Sequence, residues 1–152
     1  MTGGTGSDRY RFEKGDSGQT AASMDRITDF ATGAVNSGDR FDFSSVLTVG
    51  GAANSATASR ASINQTTGIA TFAAGSGTTL DDGLHDIANR FTAAGDSLGE
   101  FALFQAGGTG AFHVFVSDGV AGIGRNDVVV QLTNINSIGS INITSGDLTI
   151  LI

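Results

Sequence analysis

Residues 3–11 read Gly3-Gly4-Thr5-Gly6-Ser7-Asp8-Arg9-Tyr10-Arg11, three glycines and one carboxylate ahead of an alternating run. Glycine reaches φ > 0 at little cost, so such a stretch can turn sharply and aim its carbonyl oxygens at one centre. Asp8 adds a carboxylate to that centre. Carbonyls with a short carboxylate suit a hard cation, and Ca2+ above all, which takes roughly six to eight oxygens. One turn cannot supply that many, so Gly3, Gly4, Gly6 and Asp8 make half of a Ca2+ site at most. A second turn stacked about 4.8 Å away, as neighbouring strands are, would share the ion. The plainer reading is a Gly-rich turn that opens a strand.

Four more aspartates, Asp25, Asp29, Asp39 and Asp42, fall on alternating runs, where they either converge on an ion or face solvent. Asp29 and Asp39 join the metal-ligand candidates. So do Asp118 and Asp127, which with Asn126 bracket three glycines, although the order is not that of an EF-hand loop. A simple hairpin loop explains that segment equally. Catalytic readings fare worse. His85 and His113 are the only histidines and there is no cysteine, so a zinc site of three or four ligands has no supporting spacing. No Gly-x-Ser-x-Gly elbow occurs, and Gly107-Gly108-Thr109-Gly110 lacks the lysine of a phosphate loop. The expectation is a chain that is not an enzyme.

Composition narrows the class further. The net charge is −7 with a single lysine, which argues against a nucleic-acid partner, since phosphate neutralisation needs clustered Lys and Arg. Asp outnumbers Glu thirteen to two, a bias toward turns and hard-cation loops over helices. The 23 glycines imply many tight turns, and the absence of Pro and Cys suits a chain that crosses a membrane unfolded and refolds without isomerisation or disulfide exchange. No apolar run is long enough to span a bilayer, so membrane insertion is not expected.

The elements that must position these groups follow from periodicity. Arg9 to Phe12, Arg26 to Phe30 and Arg40 to Phe43 alternate as half-buried strands do. Ser62 to Asn64 and Ile69 to Phe72 flank a turn sequence, Thr66-Thr67-Gly68, and so predict a hairpin, while residues 49–61 read as loop. Leu80, Leu84, Ile87 and Phe91 form one apolar stripe with Thr79 and Gly95 placed as caps, which predicts a helix over 80–94. Glu100 to Gln105 pairs with Phe112 to Ser117. Asp127 to Thr133, with three consecutive valines, reads as a central buried strand, and Ile141 to Thr144 and Leu148 to Ile152 close the chain. Phe101 and Phe104, like Phe112 and Phe115, are three apart and point to opposite faces. The fold class is mainly β: the end of a parallel β-roll leading into an antiparallel β-sheet or sandwich with one covering α-helix. Residues 1–44 hold the Gly-rich turn and following strands, and 45–152 the β tail, packed as one unit.

At this point the sequence resembles the carboxy-terminal region of RTX-type (hemolysin-type calcium-binding) proteins exported by type I secretion. Residues 3–11 match the repeat G-G-x-G-x-D-x-U-x of calcium-binding parallel β-rolls, with Tyr10 as U. Asp25-Arg26-Ile27-Thr28-Asp29-Phe30 and Gly38-Asp39-Arg40-Phe41-Asp42-Phe43-Ser44 resemble the segment that follows the last repeat. The remainder is similar in pattern to the bluetail domain of large bacterial surface proteins. The resemblance implies a non-catalytic module, secreted or at the bacterial cell surface, whose partners are the type I exporter and an upstream β-roll. It also implies a secretion signal in Ser145 to Ile152, and folding that depends on Ca2+. The chain departs from the family in having one repeat only. Competing readings are an adhesin-like β-sandwich binding glycan or surface-layer partners, which Phe101, Phe104, Phe112 or Phe115 on a solvent-facing strand would favour, and the non-catalytic tail of a secreted protease or lipase.

Overall fold

A computed structural model describes residues 1–33, 37–51 and 60–151 of the chain. The described elements are β1 (Arg9–Phe12), β2 (Asp25–Ile27), β3 (Arg40–Phe43), β4 (Thr48–Val49), β5 (Ala61–Ile63), β6 (Ala70–Phe72), α1 (Leu80–Ala94), β7 (Glu100–Gln105), β8 (Phe112–Val116), β9 (Val128–Leu132), β10 (Ser140–Thr144) and β11 (Asp147–Leu151). A short 3-10 turn, Ala106–Gly108, joins β7 to β8. The fold is mainly β with one helix, as its periodicities predict.

Three layers result. One sheet has the order β1-β3-β11-β10 and the second β2-β9-β8-β7-β4. Alternation decides which side chains meet between them. Tyr10, Phe12, Phe41, Phe43, Leu148 and Ile150 of the first sheet share one core with Phe101, Leu103, Phe112, Val114, Val130 and Leu132 of the second. The other face of the second sheet, with Ala102, Phe104, Phe115 and Val129, lies beneath α1 and the β5–β6 hairpin, which contribute Leu84, Ile87, Phe91, Ile63 and Ala70. The second sheet is thus covered on both faces. That explains the unbroken valine run of β9, because neither face has to be polar.

The helix keeps its expected bounds for local reasons. The Thr79 hydroxyl accepts the Asp82 N–H at 3.2 Å, and Asp81 and Asp82 lie in the first turn, where the macrodipole favours anions. Gly95 ends it in the left-handed conformation, φ 95°, its N–H turned back to Phe91 and Thr92 carbonyls. Phe91 stacks on Phe115 with ring centroids 5.6 Å apart. It also passes so close to Gly50 that a Cβ there would lie 2.0 Å from the ring.

Pairing is where sequence and structure part. The sheets are mixed: β1 pairs with β3, β2 with β9 and β4 with β7, all in parallel, beside the antiparallel β7–β8–β9 and β10–β11–β3 ladders. Local alternation carries no information on pairing direction. The expected end of a parallel β-roll corresponds to the single β1–β3 pair, with β2 between them in the opposite sheet; one such pair does not constitute a roll. The strand expected over 26–30 stops at Ile27, although Phe30 remains buried. The loop expected over 49–61 falls mostly on residues outside the described set, but Val49 ends β4 and Ala61 begins β5. Strands from residues 1–44 occur in both large sheets, interleaved with those of 45–152.

Candidate functional site

The Gly-rich turn, Asp29 and Asp39 come together at one corner of the molecule. The chain turns at Gly4 (φ 91°) and Gly6 (φ 121°), conformations that only glycine adopts without strain. Gly3 is needed for space, since a Cβ there would sit 2.5 Å from Asp8 Oδ2. The Asp29 carboxylate lies under this turn and accepts the N–H groups of Gly3 (3.1 Å) and Gly4 (3.0 Å), with the Tyr10 hydroxyl donating to it at 3.2 Å. These donors, the Gly4 N–H foremost, hold the Asp29 carboxyl below the usual aspartate range. Burial, with Asp29 beside it, pushes the Tyr10 phenol up to about 12.

Asp39 ties the next turn to this one. It is fully buried, and its two carboxylate oxygens accept the N–H groups of Asp8 and Ala31, both at 2.8 Å. Arg40 N–H then donates to Asp8 O at 2.9 Å, and the Ser7 hydroxyl donates to Gly38 O at 2.5 Å. Asp8 and Asp39 therefore occupy equivalent places, each one residue ahead of strands paired Arg9 to Arg40. Asp8 Oδ2 is shielded from solvent and has no hydrogen-bond partner.

Asp118 and Asp127 make a second corner, at the far end of β8 and β9. Asp127 is fully buried; its carboxylate accepts the N–H groups of Asp118 (2.8 Å) and Gly124 (2.7 Å), closing the loop between them. Asp118 caps Val120 N–H at 2.9 Å. Burial pushes the Asp127 carboxyl up to about 6, with the charges of Asp118 and Asp96 adding to it. Asp96, which accepts the Ser117 hydroxyl at 2.8 Å, is raised for the same first reason.

The remaining candidates separate. Asp42 lies on the outer face of the first sheet, 3.0 Å from Arg9 Nε, and Asp147 joins the same exposed charge ladder at 3.3 Å from Arg9. Among the described residues no group of three or more His, Asp and Glu side chains is placed to hold a metal ion. His85 is exposed on α1 and bonds Asp81 O at 2.9 Å. His113 is buried against Phe104, ring centroids 5.1 Å apart, with Nε2 3.2 Å from the Gln131 amide, and burial pushes its pKa down. Phe101 and Phe112 are enclosed between the sheets and Phe104 and Phe115 beneath α1, so none is a solvent-facing aromatic.

Burial of Asp39 was missed by sequence reasoning, which left it at an ion or in solvent, whereas Asp127 opens the segment expected to be a buried strand and is buried. A signal for Asp39 existed. Asp8-Arg9-Tyr10-Arg11-Phe12 and Asp39-Arg40-Phe41-Asp42-Phe43 are one pattern written twice, and the two copies are the pair that lie side by side in parallel. Asp25-Arg26-Ile27 opens β2 in the same way. No family model, curated protein or solved structure matches this chain.

Proposed function

We propose that the chain is a non-catalytic carboxy-terminal module of a secreted or surface bacterial protein. It closes the end of a parallel β-roll, folds with the help of Ca2+ and carries the signal for type I secretion. The observation that supports this most is the stacking of the Asp8 and Asp39 turns on a parallel strand pair, with an unpartnered Asp8 oxygen. Among the described strands β1 is the edge of its sheet, the position at which another parallel strand could pair. A turn stacked there would bring its own carbonyls to Asp8, the arrangement the RTX resemblance implies. The secretion signal and the extracellular location rest on that resemblance alone.

Calcium binding to the folded state adds RT ln(1 + [Ca]/Kd) to stability. Extracellular calcium modules bind in the range of about 0.1 to 1 mM. Calorimetric titration of the wild type and of Asp8→Ala tests the ligand role. The reading expects millimolar affinity that Asp8→Ala weakens at least tenfold while its melt in EDTA stays unchanged. Equal affinity in the two proteins would remove Asp8, and the β1 turn with it, from the calcium site.

A further inference from the structure

A cleft of about 380 Å3 opens between the β5–β6 hairpin and the 3-10 turn, away from both aspartate corners. Its volume is at the small end of ligand sites, the size for one or two sugar rings and too small for a protein element. Phe72, half-buried, and the largely buried Phe112 line one part; Ser76, Gln105 and the backbone of Gly107 and Gly108 line the rest.

The walls are pre-formed. The Phe72 ring sits so close to Gly77 that a Cβ there would lie 2.1 Å from it, and it meets Phe104 edge-on at 6.1 Å. Gly107 N–H donates to Gly77 O at 2.7 Å, fixing the 3-10 turn to the loop that ends the hairpin. Gln105 Nε2 donates to Gly110 O at 2.5 Å, which holds the side-chain amide in place. Gly107 and Gly108 have φ of 67° and 72°, and a Cβ on Gly108 would meet nothing within 4 Å, so this wall is open backbone. Little has to be ordered on binding, which lowers its entropic cost.

We infer that this cleft binds a neutral saccharide. Among the described residues no ionisable side chain lines it, so an anion finds no cation there. The Ser76 hydroxyl donates to the buried Asp86 carboxylate, which is not among the lining side chains. An aliphatic ligand would match none of the polar wall made by Ser76, Gln105 and the Gly107–Gly108 backbone. A pyranose has both requirements in one ring, a C–H face for the phenyl and hydroxyls for the amide, hydroxyl and peptide groups.

Amide shifts of the 15N-labelled chain, followed through titrations with glucose, galactose, mannose and N-acetylglucosamine, test it. The expected result is saturable change for at least one sugar, centred on Thr71, Phe72, Gly107 and Gly108, with a dissociation constant of about a millimolar. Thr71→Arg, an exposed wall position, should abolish it with the rest of the spectrum intact; Gln105→Ala should weaken it about tenfold. The inference is overturned if no sugar gives saturable change, if the response lies elsewhere or survives Thr71→Arg, or if phosphate or uridine binds this cleft more tightly. None of these results bears on calcium, so this inference and the proposed function fail separately.

Discussion

The two aspartate corners use the same bond pattern to opposite electrostatic effect. Asp29 and Asp127 each accept two backbone N–H groups and so close a Gly-rich turn. Asp29 is partly exposed, water offsets its desolvation, and the donors win: its pKa falls. Asp127 is fully buried near Asp96 and Asp118, desolvation wins, and its pKa rises to about 6. Asp39 is likewise buried, with one backbone N–H on each carboxylate oxygen. What a carboxylate contributes here is set by burial more than by the count of its hydrogen bonds.

The largest effect should come from breaking the buried tie between turns. Asp39→Ala leaves the Asp8 and Ala31 N–H groups without their acceptor, at about 1–3 kcal/mol each. A loss of about 3 kcal/mol would lower Tm by roughly 6–12 °C in a chain of this size. Urea unfolding with an unchanged m-value would verify the loss; a variant as stable as wild type would remove Asp39 from the structural role given to it.

Asp127 comes next and has a signature in pH. Its native pKa, about 6, lies above the unfolded value of 3.8, so the native state holds the proton longer. The stability this gives is fully present below pH 3.8 and is lost as pH rises through about 6. The two-unit gap corresponds to about 3 kcal/mol at most. Asp127→Asn should flatten the fall in Tm between pH 4.5 and 7, while weakening the loop because its amide nitrogen cannot accept a second N–H. Unaltered pH dependence in that variant would contradict the assignment.

The smallest effect belongs to Asp29, and its sign is reversed. Its lowered pKa gives stability that is present above pH 3.8 and lost as pH falls below it. Asp29→Asn should therefore be least different from wild type near pH 3 and most different at neutral pH. Melts across that range would show the two variants diverging in opposite directions, which sharpens the comparison beyond what either shows alone.

Much of this fold was legible because the informative patterns are local. Leu80, Leu84, Ile87 and Phe91 with Thr79 and Gly95 mark the helix, and the valines of β9 mark a strand covered on both faces. What was hidden is non-local or a matter of burial. Strand direction depends on which segments meet, and β1 meets β3 across 31 residues. The strand expected through Phe30 ends at Ile27, and Asp29, just beyond it, reaches under Gly3 and Gly4 instead of continuing a ladder. Nothing in single residue types distinguishes the buried Asp39 from the exposed Asp81, and only the repeated Asp-Arg-aromatic pattern hinted at it. The cleft beside Phe72 was invisible because its walls come from a hairpin and a turn more than thirty residues apart.

The proposed stabilisation of this fold by Ca2+ is open to one decisive experiment, a thermal melt in EDTA, in millimolar calcium and in millimolar magnesium. The account predicts a rise of several degrees with calcium and little with magnesium, whose smaller shell fits carbonyl-rich turns poorly. A folded protein whose melt is the same in all three would contradict it.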